Sequence, residues 1–202
     1  MESQLDEIKN WESRYQSGDT PWEKGYAAPP LMDFLVREIL HGKVFVPGCG
    51  VGHDVRALSR KGAEVIGLDF APSAIQRAQS FTAVGRETYI EGDLFHLQGH
   101  YKNSFDWVFE HTCFCAIQVR QRPEYVRIIH GVLKDSGLLL AIFFMNPDLE
   151  GKEGPPFPAT KDELNTLFAP CFELQKEWVP TTGYPGREGR ELMRLLRKKS
   201  TG

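Results

Sequence analysis

Gly48, Gly50 and Gly52 alternate directly behind a short apolar run, Val44 to Val46, and Asp69 closes the next such run, Glu64 to Leu68. Glycines let a ligand approach the backbone, because a side chain there would fill its space. An acid at a strand tip can accept both hydroxyls of a ribose. A strand, a glycine turn, a helix over Asp54 to Lys61 and a strand ending in an acid form the unit that binds the nucleoside half of a cofactor. The spacing narrows the cofactor. The dinucleotide fingerprint G-x-G-x-x-G needs a third glycine where this chain has His53 or Val55. The shorter pattern G-x-G-x-G leaves no pyrophosphate on the helix N-terminus. S-adenosylmethionine carries a ribose and an adenine but no phosphate, and it fits. The alternatives are a tight turn that holds no ligand, and an Asp69 that caps the helix opening at Ala71-Pro72.

The elements that must position these groups can be read along the chain. Leu5, Ile8, Trp11 and Tyr15 have helical spacing within residues 2–17, and Gly18-Asp19-Thr20-Pro21-Trp22 breaks that helix. Pro29-Pro30 opens a second helix over Leu31 to Leu40, ended by His41-Gly42. Strands are expected at Val44–Val46, Val65–Asp69, Thr88–Glu91, Phe105–Glu110 and Leu138–Phe144. Helices are expected at Pro72–Phe81 and at Pro123–Leu133, the latter stopped by Asp135-Ser136-Gly137. Residues 146–158 and 180–189 are Gly/Pro-rich loops; Lys161–Phe168 reads as a helix, Phe172–Trp178 and Leu192–Leu196 as strands. Strands alternating with helices imply an α/β fold with an open, mostly parallel seven-stranded sheet. The last two strands have only a loop between them and pair as an antiparallel hairpin at one edge. One domain is expected over residues 1–202, with cap helices in 1–42 and the core in 43–202. In such a sheet the ligand lies at the carboxyl ends of the strands, where strand order reverses. That rule gathers Gly48, Asp69, Asp93 and Glu110-His111 into one crevice.

Composition excludes other classes. The chain has 202 residues, 41% hydrophobic and 25% charged, with a formal net charge of −3. That length supports one full-sized core, and that charge gathers no nucleic acid. The four cysteines, Cys49, Cys113, Cys115 and Cys171, include no Cys-x-x-Cys pair. No metal site is expected, and the thiols read as reduced in a cytoplasmic protein. Met1 to Asp6 lacks the pattern of a secretory signal. The longest apolar stretch, Leu138 to Met145, is too short to span a bilayer. The expected partner is a small molecule, and the expected state is a monomer.

With these residues placed, the chain resembles class I S-adenosylmethionine-dependent methyltransferases, a Rossmann-like three-layer sandwich. It is most similar to the thiopurine S-methyltransferase superfamily, which includes the halide and thiol methyltransferases. Five blocks carry the resemblance: Trp11-x-x-x-Tyr15 with Gly18 to Trp22; Pro47-Gly48-Cys49-Gly50 with Gly67-Leu68-Asp69; Gly92-Asp93-Leu94-Phe95; Phe105-Asp106 running to Cys115-Ala116-Ile117 and Arg122; and Gly154-Pro155-Pro156-Phe157. The resemblance implies that Trp11, Tyr15 and Trp22 cover the cofactor, Tyr15 standing where some members have tryptophan. An aromatic face attracts a sulfonium by about 0.5–2 kcal/mol; the alternative for Tyr15 is simple docking of the helix. It further implies Gly48, Gly50 and Asp69 at the ribose, Asp93, Leu94 and Phe95 at the adenine, and Glu110 with the cofactor-binding set. Arg122 matches an arginine on the substrate side of the pocket, or is a solvated arginine at a helix start. His111 either assists deprotonation or is structural. Cys113, Phe114, Pro156 and Phe157 are assigned to the substrate pocket, and Cys115 to packing.

The activity so implied is methyl transfer to a small soft nucleophile: a thiol, sulfide or halide, with thiopurine-like acceptors included. The product cofactor would be S-adenosylhomocysteine. Other readings are an oxygen, nitrogen, selenium or tellurium acceptor on the same fold, a nicotinamide-dependent oxidoreductase, which the glycine spacing opposes, and a non-catalytic cofactor-binding module. Residues 11–29 combine aromatic rings with glycine, proline and charge, which suits a segment that closes over a ligand.

Overall fold

The computed structural model describes residues 2–97, 99–147 and 154–200, with side chains from residue 10 onward. Seven strands form one sheet in the order β3-β2-β1-β4-β5-β7-β6. The strands are β1 Lys43–Pro47, β2 Glu64–Asp69, β3 Arg86–Glu91, β4 Phe105–His111, β5 Leu133–Phe144, β6 Phe172–Trp178 and β7 Glu191–Lys198. The helices are α1 Glu2–Ser17, α2 Pro29–Arg37, α3 His53–Arg60, α4 Pro72–Ser80, α5 Arg122–Val132 and α6 Lys161–Phe168. β1 to β5 are mutually parallel, and β7 runs antiparallel between β5 and β6. This is the Rossmann-like sheet of class I methyltransferases with its antiparallel edge hairpin. Among the described residues no helix is long and apolar enough to cross a membrane.

Strand order reverses between β1 and β4, the two strands that start the two halves of the sheet. β1 is buried from Val44 to Pro47, as a central parallel strand must be, because helices cover both its faces. One apolar cluster lies around Phe45, Val108, Tyr125, Ile129, Phe143 and Phe168. A second lies around Leu31, Val46, Val55, Val65, Phe109 and Ile142. Adjacent strand residues such as Val108 and Phe109 therefore serve opposite faces, the period of two that a strand imposes.

Two boundaries differ most from the sequence expectation; the others shift by two residues at most. Helix α2 ends at Arg37 rather than Leu40: Glu38 is extended, and its N–H still donates to the Phe34 carbonyl. Leu31 and Leu35 bury the helical face, and the extended exit carries Leu40 back into the core. The stop signal Asp135-Ser136-Gly137 does not separate α5 from the next strand. β5 begins at Leu133, opposite Phe105, and Leu138 lies opposite Trp107. The extra residues bulge outward, with Ser136 at φ 61°. A side chain on Gly137 would stand 2.9 Å from the Lys134 carbonyl oxygen, so this turn of chain needs a glycine. The side chains of Leu5 and Ile8, two of the four residues at helical spacing, and part of the 146–158 loop lie outside the described side chains and residues.

The hairpin reaches the site by topology. Because β7 is antiparallel, its first residue, Glu191, pairs with the last residue of β5, Phe144. The loop before β7 therefore lies at the carboxyl edge of the parallel strands.

Candidate active site

A cavity of about 340 Å³ opens at that edge, over the switch point between β1 and β4. Its floor is the glycine turn. Gly48, Gly50 and Gly52 all take positive φ, at 59°, 52° and 76°. A side-chain carbon on Gly48 would come within 2.9 Å of Cys113, and one on Gly50 within 2.9 Å of the Tyr15 hydroxyl. Both backbone conformation and space thus require glycine at these positions.

Asp69 ties the turn down. The Gly50 N–H donates to its Oδ2 at 2.8 Å, and the Ala71 N–H donates to its Oδ1 at 3.0 Å. The carboxylate holds the glycine turn and the entry to α4 together, and it also lines the cavity. Burial raises its pKa, and the amides of Ala71, Gly50 and Phe70 pull it back only in part. Two bonds leave lone pairs on a carboxylate for further donors. Asp93 lines the same wall. It caps the short turn Leu94–His96, accepting from the Phe95 N–H at 2.9 Å, and its other oxygen lies 2.9 Å from the His96 ring.

The amino-terminal segment forms the cover. Trp11 and Trp22 pack edge to face at 4.8 Å, and the Trp22 indole N–H donates to the Tyr15 hydroxyl at 3.2 Å. Arg14 stands over Trp22 at 4.3 Å and pairs with Asp19. Tyr15 is buried against Val51, Ala71 and Ala74, and it also lines the cavity. The segment is anchored. Glu12 accepts from the Ser73 amide at 3.0 Å and the Ser73 hydroxyl at 2.5 Å. Burial raises the Glu12 pKa, yet those bonds outweigh it and hold it below the ordinary glutamate value. Glu23 bridges to His53 at 2.9 Å and Arg77 at 3.3 Å.

Beyond the switch point the wall changes character. It is built by Cys113, Cys115, Ile117, Phe144, Pro155 and Pro156, with His111, Tyr184 and Arg187 beside them. Burial pushes the Cys115 thiol up to about 12, and the Cys113 and Cys49 thiols well above their usual value. These are protonated, soft, apolar wall groups, not nucleophiles. Cys115, expected only to pack, is part of that wall. Thr112 is held at φ 64°, uncommon for a β-branched residue and the kind of strain that collects at ligand sites.

Of the residues singled out in the sequence, Trp11, Tyr15, Trp22, Gly48, Gly50, Asp69, Asp93, Leu94, Phe95, His111, Cys113 and Pro156 meet at the cavity. Four do not. Glu110 is buried and turned to the opposite face of the sheet from His111. It accepts from the Phe114 N–H at 2.8 Å and from the Tyr125 hydroxyl, and so braces the turn after β4. Phe114 packs into the core against Tyr125, Phe143 and Phe168. Phe157 is pinned by its backbone, its N–H donating to the Cys115 carbonyl at 2.7 Å. Arg122 is neither solvated nor in the pocket. Its guanidinium is 1% exposed and donates to the carbonyls of Phe157 and Pro158 and to Glu163 at 2.7 Å. It also stacks on Phe114 at 4.5 Å. Arg122 positions the segment that brings Pro155 and Pro156 to the wall. No local pattern marks Tyr184 or Arg187, whose approach depends on β7 inserting beside β5. Asp54 and Arg14 stood next to noticed motifs but had no assigned role.

The residues fit the nucleoside of S-adenosylmethionine: turn positions without side chains, acids at the tips of β2 and β3, and aromatic rings above. The comparisons with known proteins bear on fold and family. The solved structure of a Burkholderia thailandensis 1,6-didemethyltoxoflavin-N1-methyltransferase, with bound 1,6-didemethyltoxoflavin and S-adenosylhomocysteine, superposes with a TM-score of 0.72 over 96% of this chain and 87% of that one, at 21% identity. Sheet order and glycine turn define a class I, S-adenosylmethionine-dependent methyltransferase. The chain belongs to the thiopurine S-methyltransferase family, whose model matches residues 6–180. A probable thiol methyltransferase 2 from Arabidopsis thaliana is 30% identical over 197 residues, 95% of this chain and 85% of that protein. Thiocyanate methyltransferase 1 from Brassica oleracea is 30% identical over 165 residues, 79% of this chain and 71% of that protein.

Arg122→Ala is expected to lower stability by about 2–3 kcal/mol. That is less than the loss of a fully buried ion pair, because Glu163 keeps some contact with solvent. In a chain of this length the melting midpoint should fall by roughly 5–10 °C. A thermal melt checks this. An unchanged midpoint together with altered acceptor preference would instead put Arg122 at the acceptor.

Proposed function

We propose that this methyltransferase acts on a small soft nucleophile: a thiol, a sulfide or a halide, with heteroaromatic thiols of the thiopurine kind included. One observation carries the reading: the cavity is divided at the switch point. The tips of β1, β2 and β3 supply backbone amides and acids, which suit a nucleoside. The tips of β4 and β5, with residues 155–156 and 184–187, supply sulfur, proline and aromatic walls with one arginine. A cavity of about 340 Å³ suits a cofactor beside a small acceptor, not a macromolecular one. The thiol and thiocyanate methyltransferases among the relatives favour the same acceptor class.

In this reading Gly48 and Gly50 admit the ribose to the backbone, and Asp69 accepts its hydroxyls. Asp93 accepts from the adenine amino group, with Leu94 and Phe95 against the ring. Trp11, Tyr15 and Trp22 exclude water from above. The bound cofactor supplies an electrophilic methyl group and its own leaving group, so the chain must orient and must favour an anionic attacker. Arg187 takes the part first assigned to Arg122. Its guanidinium lies over Phe144 at 4.7 Å and Tyr184 at 5.5 Å and pairs with Glu191 at 3.4 Å. A cation beside an apolar pocket favours a thiolate over a thiol. Methyl-labelled cofactor, offered with sulfide, thiophenol, thiocyanate, iodide, phenol and aniline, should label the first four. Label confined to phenol or aniline would overturn the proposal.

The raised Asp69 pKa gives a second expectation. Protonation removes an acceptor, so affinity for S-adenosylhomocysteine should fall as pH is lowered, beginning above the value near 3.9 at which an exposed aspartate titrates. Asp69→Asn should weaken binding by about 1.5–3 kcal/mol at neutral pH and flatten that acid fall. Calorimetric titration across pH checks both. A folded variant with unchanged affinity would leave Asp69 serving only the turn and α4.

A further inference from the structure

His111 closes β4 and lines the cavity, its side chain 7% exposed. Its Nδ1 lies 2.8 Å from Asp54 Oδ2, on the first turn of α3. The other oxygen of Asp54 accepts from the Ala28 N–H at 2.8 Å, so the carboxylate is fixed from both sides. A carboxylate only accepts, so Nδ1 carries the proton and Nε2 is left with its lone pair. Nε2 is buried and has no hydrogen-bond partner among the described residues. A buried acceptor without a donor is costly, and here it sits in the wall of a ligand cavity. Tyr184 stacks on the ring at 5.8 Å and holds its plane, its own hydroxyl bonded to the Tyr26 carbonyl at 2.7 Å.

We propose that Asp54 and His111 form a base dyad, His111 as the catalytic base and Asp54 as its positioning residue, and that the native acceptor is protic: a thiol rather than a preformed anion such as thiocyanate or a halide. This rests on the soft-nucleophile reading and narrows it. A halide or thiocyanate has no proton to give and no use for an imidazole lone pair. In the step, the acceptor S–H bond breaks and its proton passes to Nε2. The freed sulfur pair forms the new S–CH₃ bond. The carbon–sulfur bond of the sulfonium breaks with its electron pair staying on the departing sulfur. The imidazolium then releases the proton to solvent. Charged and titratable groups face the ring from several elements. Asp54 faces it from α3, Glu110 adjoins it on β4, and Glu191 lies within electrostatic reach on β7, paired with Arg187 from the preceding loop. Burial keeps the Tyr184 hydroxyl protonated.

The test compares cysteine, a thiol of free pKa near 8.5, with thiocyanate in the full chain. Such a thiol is only a few per cent thiolate at pH 7. His111→Gln should therefore lower the ratio of cysteine to thiocyanate turnover about 10–30-fold at pH 7, and the ratio should recover by about pH 9, where this thiol ionises unaided. Asp54→Asn should lower the ratio in the same direction. A separate readout needs no turnover: ¹⁵N spectra of the wild-type imidazole should show a protonated Nδ1 and a free Nε2, a preference lost in Asp54→Asn. An unchanged ratio, an equal loss on both acceptors, or a ring protonated on Nε2 would overturn the dyad. Wild-type protein that binds S-adenosylhomocysteine yet methylates only oxygen or nitrogen acceptors would overturn the soft-nucleophile reading instead, and the ring spectrum would then decide the dyad by itself.

Discussion

A buried carboxylate at the tip of β2 organises this end of the molecule. Asp69 accepts from the amides of Gly50 and Ala71, so one side chain joins the glycine turn after β1 to the start of α4. The next links follow from it. Once α4 is placed, Ser73 presents its amide and hydroxyl to Glu12, and α1 docks. Docked α1 sets Tyr15 against the Gly50 turn, and Tyr15 receives the Trp22 indole N–H. Floor, acid and aromatic cover thus depend on a charge whose burial opposes it. Leaving such a group unpaired costs about 1–3 kcal/mol or more, which makes the two amide bonds a condition of the architecture. A segment tied at Ser73, His53 and Arg77 is also less free to lift than its glycine and proline content suggested.

The part of the cavity proposed for the nucleoside was legible in the sequence, as a place where certain residues meet, because its signals are local. Three alternating glycines, an acid at the end of an apolar run and a Gly-Asp pair after the next each lie within a few residues of the element they terminate. The part proposed for the acceptor was legible only in part, with His111, Cys113 and Pro156 reaching the cavity and the rest missed, for two physical reasons. Strand residues alternate between faces, so a tip rule that collects Glu110 and His111 together must misplace one of them. His111 turns to Asp54 on α3, and Glu110 turns to Tyr125 on α5. The rest of that wall comes from far along the chain. Tyr184 and Arg187 reach it only because β7 enters antiparallel beside β5, a pairing that no local pattern displays.

Arg122 shows how a matched motif can carry a different task. Its position was read correctly as conspicuous, at the head of α5, and its use was not. With 1% of its side chain exposed, the guanidinium spends its donors on Phe157, Pro158 and Glu163. It holds the segment that brings Pro155 and Pro156 to the cavity wall, while Arg187 lines the cavity itself. One arginine holds a loop, and the proposed contact with an acceptor falls to the other.

The central claim is that the switch point divides the cavity, nucleoside on one side and acceptor on the other. The structure of the chain with S-adenosylhomocysteine bound tests it most directly. The account predicts ribose hydroxyls on Asp69, adenine beside Asp93 and Phe95, and the sulfur directed across β1 toward His111 and Cys113. A nucleoside lodged instead among Phe144, Pro156 and Arg187, with Asp69 bonded only to Gly50 and Ala71, would contradict it.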